Sequence, residues 1–309
     1  MIFLILAESK QQCKNQLNDF INMCAILGIP LAREKTEGPD TTLTFAGIEL
    51  DTVRGEARLP QVKLIRYRIL IENIKSRKQV TLRELQSMIG CLNHCCYIIP
   101  AGRPFLRRLI DLTKGIPFAH HRIRLNKGAR ADLATWASFL QNFNGKALFQ
   151  DSEWFLAADF HLYTDAAQSM GYGATCGRNW FYGEWPPSWK ALDITTLELY
   201  PIVAAIQLWG ARFANKRIIL HTDNMALTFI INKLTSKDPK IMVLVRKLAL
   251  LVLKFNILFQ CEHIIGKNNV LADALSRFNL QEFRRLAPFM HRDPVHLPQD
   301  LLPHNCLLA

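Results

Sequence analysis

What the chain lacks narrows the field first. Residues 1–7 are apolar but few, with no basic residue ahead of them, and the longest later stretch, Ile241 to Phe259, is broken by Arg246, Lys247 and Lys254. Neither is long enough for a signal-peptide core or a bilayer span, so no membrane segment is expected. The eight cysteines follow no disulfide framework. Cys91, Cys95 and Cys96 gather around His94 in a stretch that reads as helical, yet no second ligand pair lies nearby. Buried reduced thiols in an intracellular compartment are therefore expected rather than zinc, with cytoplasm and nucleus both open. Glycine and proline, 15 and 14 of 309 residues, are too few for a fibrous or disordered chain. Acidic residues are also short in number, 26 against 38 Lys and Arg, leaving a net charge of +12. An excess of this size suits a polyanionic partner, because each neutralised phosphate releases a counterion. A plain basic soluble protein would carry the same charge.

What is present is a globular chain, half hydrophobic and long enough for one or two cores. It has no internal repeat. Ile2 to Leu6 reads as a buried strand, and Ser9 as the N-cap of a helix to Leu27, with Leu17, Phe20, Ile21 and Cys24 at helical spacing. Leu43 to Leu50 and Glu56 to Leu59 read as strands around a turn at Arg54-Gly55. Basic helices follow at Val62–Lys75, from Thr81 with Glu84 at the capping-box position, at Arg103–Thr113 and at Lys127–Phe143. Their Arg and Lys content suits a phosphate backbone, and equally a solvated helix face. From Leu156 the pattern turns mixed. Strands are expected at Leu156–Asp165, Gly171–Cys176 and Trp180–Glu184, then a helix at Thr195–Arg212 and a strand at Arg217–Thr222. Helices at Met225–Asn232 and Pro239–Phe255, a strand at Ile257–Ile264 and a helix at Asn269–Arg277 complete it. This order predicts an α/β fold, a mixed five-stranded sheet with flanking helices, behind an α+β N-terminal part. The tail after Phe278 holds four prolines and is expected to lack a core of its own.

Four acids stand at element edges in the mixed region: Asp165 ends a strand, Glu198 lies one turn into a helix, Asp223 follows a strand, and Asp273 sits in the last helix. Each is hemmed in by apolar or small residues, which a lone charge tolerates poorly. A shared cation would satisfy all four, and hard oxygen ligands without His or Cys favour magnesium or manganese over zinc. For any one acid, an ordinary cap or surface position is the plainer account; for all four in this order it is weaker.

These segments resemble the ribonuclease H domain of retroelement reverse transcriptases, through Thr164-Asp165-Ala166, the helical Glu198, Thr222-Asp223-Asn224 and Ala272-Asp273-Ala274-Leu275-Ser276-Arg277. The runs Leu197–Ile202, Leu208–Gly210 and Ala272–Phe278 are similar to those of DIRS-type retrotransposons. Upstream, Thr81–Asn93 resembles the thumb helix of these polymerases. Phe45–Leu50 resembles the strand pair that grips a primer end, with Ala46 where the family usually has Leu. The resemblance therefore implies a palm remnant at 1–57, a helical thumb and connection at 58–150, a ribonuclease H-like domain at 151–280 and a tail at 281–309. The aromatic-x-Asp-Asp turn that the family places before the strand matching Phe3–Leu6 is missing, and no Asp-Asp pair occurs anywhere. Polymerisation by this chain alone is not expected, and another chain supplying the missing polymerase half is a possible partner.

The resemblance further implies hydrolysis of the RNA strand of RNA–DNA hybrids with two Mg2+ or Mn2+ ions. Asp165 would bridge both, Glu198 and Asp223 would complete one site, and Asp273 the other. RNA would be chosen through its 2′-hydroxyls, with Asn224 and Asn269 as candidate donors. Cellular enzymes of this fold carry a histidine in the loop before the last helix. Here that loop is Ile265–Asn269 and His263 precedes it on the strand, which makes His263 a candidate auxiliary residue or a structural one. An idle nucleic-acid-binding or scaffold remnant of the same element, and a different nuclease of the same fold, stand as alternatives.

Overall fold

In the computed structural model, residues 3–142, 146–148, 160–214 and 216–306 are described. The chain divides into two compact units, one from residues 1–100 with 108–151, the other from 101–107 with 152–309.

The first unit opens with α1 (Lys10–Ile26), capped as expected by Ser9, whose hydroxyl accepts from the Gln12 amide at 3.2 Å. Residues 3–6 ahead of it form no strand, and Phe3 and Leu6 are exposed. A strand needs a neighbour to complete its ladder, and none pairs with this run among the described residues. The expected strand over Leu43–Leu50 is two strands, β1 (Thr42–Phe45) and β2 (Ile48–Asp51), folded back at Ala46-Gly47. Both turn residues are left-handed, φ 48° and 80°, which matches the twist of a two-residue hairpin. Lys63 Nζ donates to the Gly47 carbonyl at 3.2 Å, and His94 Nε2 lies 3.2 Å from the Ala46 carbonyl. The sheet continues antiparallel through β3 (Glu56–Arg58).

Three helices carry this unit's core: α2 (Gln61–Ser76); α3 (Leu82–Cys95), which follows β4 (Gln79–Thr81); and α5 (Lys127–Asn142). In place of the single helix expected over Arg103–Thr113 the chain forms a 3-10 turn at Pro100–Phe105 and the short α4 (Arg107–Asp111), and β5 (Arg122–Arg124) then pairs with β4. Pro104 falls inside that turn, where a continuing α-helix would lose a donor. Leu64, Ile71, Leu85, Met88, Leu133 and Trp136 are fully buried. The last strand, β6 (Lys146–Leu148), pairs with β3 and closes the sheet order β1-β2-β3-β6.

Several of the arginines that made these helices look phosphate-ready are spent inside the fold. Arg130 of α5 donates to the Lys75 and Arg77 carbonyls at 2.7 and 2.6 Å, at the C-terminus of α2. Arg68 of α2 returns the contact to the Leu140 carbonyl near the end of α5, 3.1 Å from Nε. Each helix end thus gains the cation its exposed carbonyls favour. Arg66, Lys78 and Arg83 are exposed. Cys95 and Cys96 are buried, Cys91 is half-buried, and all three are free thiols. Burial pushes the Cys95 thiol up to about 12, which keeps it an unreactive core residue.

The second unit is built on a mixed sheet in the order β11-β10-β7-β8-β9. β7 (His161–Ala166), β8 (Gly171–Cys176) and β9 (Asn179–Glu184) are antiparallel neighbours; β10 (Arg217–Thr222) runs parallel to both β7 and β11 (Leu258–His263). Alternation assigns the two faces. Leu162, Ala174, Cys176, Phe181, Ile218 and Leu220 point to one side, into a core shared with α6 (Ile194–Trp209) and α8 (Pro239–Lys254). α7 (Met225–Lys233) follows β10 and packs beside β11. α9 (Val270–Ser276) lies on the opposite face, over β7 and β8. This is the α/β architecture that the sequence predicts, a mixed five-stranded sheet with flanking helices. Residues 156–159 of the first expected strand lie outside the described residues. The stretch after Phe278 needs no separate core: α10 (Leu280–Leu286) buries Phe283 against Trp180, Ala274 and Leu275. A last short helix, α11 (Pro303–Cys306), follows Leu301, whose carbonyl accepts from the buried Tyr200 hydroxyl at 2.6 Å. No helix among the described residues is long and apolar enough to cross a membrane.

Candidate active site

The two central parallel strands end on the same edge of the sheet, and each delivers an aspartate there. Asp165 lies two residues beyond Tyr163 on β7, and Asp223 two beyond His221 on β10, where Tyr163 and His221 are register partners. Asp165 is 7% exposed, and its partner across β8 is Gly173. That glycine lets α9 come down onto the sheet: a Cβ there would overlap the Leu275 Cβ and stand 3.1 Å from the Ala272 carbonyl. α9 is fastened to β7 by two side chains. The Ser276 hydroxyl donates to Asp165 Oδ2, and the Asn269 amide donates to the Thr164 carbonyl at 2.9 Å.

Glu198 sits one turn into α6, whose N-terminus Asp193 caps by accepting from the Thr195 amide at 2.9 Å. Its carboxylate is 9% exposed and accepts from the Thr222 hydroxyl at 3.2 Å. Asp223 follows directly, in the turn between β10 and α7. Asp273 projects from α9 and accepts from Arg277 Nε at 2.7 Å, one helical turn on.

The four acids influence one another electrostatically. Burial raises the Asp165 carboxyl to about 6; the charges of Asp223 and Asp273 add to the rise, while Ser276 and Arg277 oppose it. Burial likewise raises Glu198 to about 7, reinforced by Asp223 and Asp165 and opposed by Thr222 and Asn224. Arg277 is too little to offset the burial and mutual repulsion that lift these carboxyls, and that remaining excess of negative charge is the condition a hard divalent cation relieves. The donor set, all oxygen, fits magnesium or manganese. As the side chains stand, no three His, Cys, Asp or Glu among the described residues are close enough together to hold an ion. Asp273 is turned to Arg277 and Asp165 to Ser276.

The other sequence candidates sit differently. Asn269 is 2% exposed and committed to Thr164, so it serves as a strut of α9; a donor to a bound strand would have to be exposed. Asn224 is half-buried and N-caps α7, accepting from the Leu227 amide at 3.0 Å. His263, at the exposed end of β11, has Nε2 3.1 Å from the Asp223 carbonyl, beside the cluster. Ser276, Thr222 and Arg277 are the partners that sequence reading did not single out. The hydroxyls of Ser276 and Thr222 carry no signal of their own, but the spacing of Arg277 four residues after Asp273 on one helix does.

No family model matches the chain. A "putative enzymatic polyprotein" of Cassava vein mosaic virus is 22% identical over 294 residues, 89% of this chain. Two solved structures are similar at 14% identity. The foamy viral protease–reverse transcriptase dRH in complex with double-stranded DNA aligns over 84% of this chain and 44% of its own, with a TM-score of 0.39. The ribonuclease H1 of Halobacterium salinarum aligns over 40% of this chain and 96% of its own, with a TM-score of 0.30. The chain spans 42% of the length of the viral polyprotein and 44% of the foamy viral chain.

Proposed function

We propose that the second unit hydrolyses the RNA strand of RNA–DNA hybrids, as the ribonuclease H part of a retroelement reverse transcriptase. The observation that carries this reading is the delivery of Asp165 and Asp223 to one sheet edge, with Glu198 and Asp273 brought in by helices from opposite faces. The runs at Leu197–Ile202 and Ala272–Phe278 support a DIRS-type element as the finer placement.

Asp165, Glu198, Asp223 and Asp273 would hold the two Mg2+ or Mn2+ ions. When bound, such ions supply an activated water and stabilise the leaving 3′ oxygen. The chain's own residues do the rest. Thr222 orients Glu198, Ser276 orients Asp165, and Asn269 fixes the helix that carries Asp273. His263, whose Nε2 lies 3.1 Å from the Asp223 carbonyl, would act as an auxiliary residue beside the acids. Exposed basic residues such as Arg66 and Arg83 supply grip independent of sequence.

The test is strand selectivity. The full chain is given a hybrid with either strand labelled, alongside double-stranded DNA and RNA. Shortening of the RNA strand of the hybrid alone, with 5′-phosphate ends, is the expected result. Cutting of double-stranded DNA would move the assignment to another nuclease of this fold. Binding of the hybrid without cutting would leave an idle scaffold.

A further inference from the structure

We infer that Arg277 is a built-in counter-cation that competes with divalent metal for Asp273 and so sets the metal concentration at which the site loads. This rests on the reading that the four carboxylates bind metal.

Asp273 is the most open of the site's carboxylates with a fixed cationic partner: its side chain is 44% exposed, and Arg277 Nε donates to Oδ1 at 2.7 Å. The pair is an i,i+4 couple on α9, so one helical turn holds it in place. The guanidinium also acts on Asp165 and Asp223, whose charges stabilise it in turn. Arg277 thus supplies positive charge to a cluster otherwise left with carboxylates, hydroxyls and amides. It occupies Oδ1, one of the two oxygens that Asp273 can offer an ion.

The contact is made to be broken. The Arg277 side chain is 58% exposed, and an exposed ion pair is worth at most about 1 kcal/mol. The guanidinium has somewhere to go, since it already lines an open depression of about 630 Å3 with Lys190, Gln168 and Ser169. Ser276, by contrast, is fully buried and donates to Asp165 from within the fold, so its hydroxyl stays through loading.

Arg277→Gln keeps the side-chain length near native and removes the charge. Mn2+ binding to the full chain, freed of metal, is followed by the electron paramagnetic resonance signal of free Mn2+ at low salt. The variant is expected to bind Mn2+ about three- to fivefold more tightly than the unmodified chain, the fold-change matching that pair energy. Its metal-free melting temperature is expected to fall while its Mn2+-saturated one does not. In an Asp273→Asn background, the gain from Arg277→Gln is expected to shrink to the residual effect of the guanidinium on Asp165 and Asp223. Arg277→Lys, which keeps the charge, is expected to bind close to the unmodified chain. Unchanged or weaker Mn2+ binding by Arg277→Gln, with the unmodified chain binding normally, would overturn this role and leave the metal site standing. An unmodified chain that binds no Mn2+ would overturn both.

Discussion

At the scale of single residues, the account turns on carboxyls whose surroundings strengthen their hold on a proton. Asp165 and Glu198 bind protons more tightly folded than unfolded, about 6 and 7 against ordinary values of 3.8 and 4.5. Their contribution to stability is fully present below those ordinary values and is lost as the pH rises through 6 and then 7. The metal-free chain is therefore expected to lose on the order of 4 kcal/mol between pH 5 and pH 8, measured by urea unfolding. Glu198→Gln should flatten that slope, and Mg2+ should restore stability mainly at the upper end. A slope unchanged by Glu198→Gln would place the proton uptake elsewhere. Gly173→Ala tests the seat of α9: overpacking against Leu275 is expected to cost about 1–3 kcal/mol and to lower the melting temperature of the second unit. The places of the four acids, two at strand ends and two on helices, were legible in the sequence because each follows a clear strand or helix pattern. Ser276 was not legible as a partner of Asp165, because 111 residues separate them and only the fold closes that distance. Asn269 was misread for a related reason. Its amide lies beside an acidic motif in sequence, but it is spent inside on Thr164.

At the scale of elements, local chemistry fixes the helix starts, and long-range pairing decides the rest. Ser9 and Thr81 were legible as N-caps because their bonds close within three residues. At Thr81 the capping box is complete: Glu84 accepts from the Thr81 amide at 2.7 Å and pairs with Arg77. Arg77 first, and the Thr81 amide next, lower the Glu84 carboxyl to about 2. The stability it adds is present above its ordinary value of 4.5 and is lost as the pH falls through 2. Glu84→Gln is expected to cost about 1 kcal/mol at pH 7 and little at pH 2, measured by chemical unfolding of the full chain. A cost independent of pH would point to packing rather than charge. The expected strand over Ile2–Leu6 failed because apolar character alone does not supply a ladder. The hairpin at Ala46-Gly47 escaped the residue pattern, because an alanine in a left-handed turn leaves only its glycine neighbour as a signal, and only the resemblance of Phe45–Leu50 to a strand pair pointed to it.

At the scale of the whole molecule, the net charge of +12 resolves into two populations of cations. Arg68 and Arg130 close helix ends, whereas Arg66 and Arg83 face solvent. Arg66→Ala and Arg83→Ala are each expected to reduce the salt dependence of hybrid binding by about one unit of slope without altering the melting temperature. Arg130→Ala is expected to do the reverse, costing about 1–3 kcal/mol of stability. Composition could not separate these groups, since both are arginines on amphipathic helices. The central claim is that one constellation of four acids cuts RNA in a hybrid. Its most direct test is cleavage of a labelled hybrid in Mg2+ by the full chain and by Asp165→Asn, Glu198→Gln, Asp223→Asn and Asp273→Asn. The account predicts that each variant stays folded, still binds the hybrid and loses about a hundredfold or more of the rate, and that chelator abolishes what remains. Equal cleavage by the unmodified chain and by Asp223→Asn would contradict it.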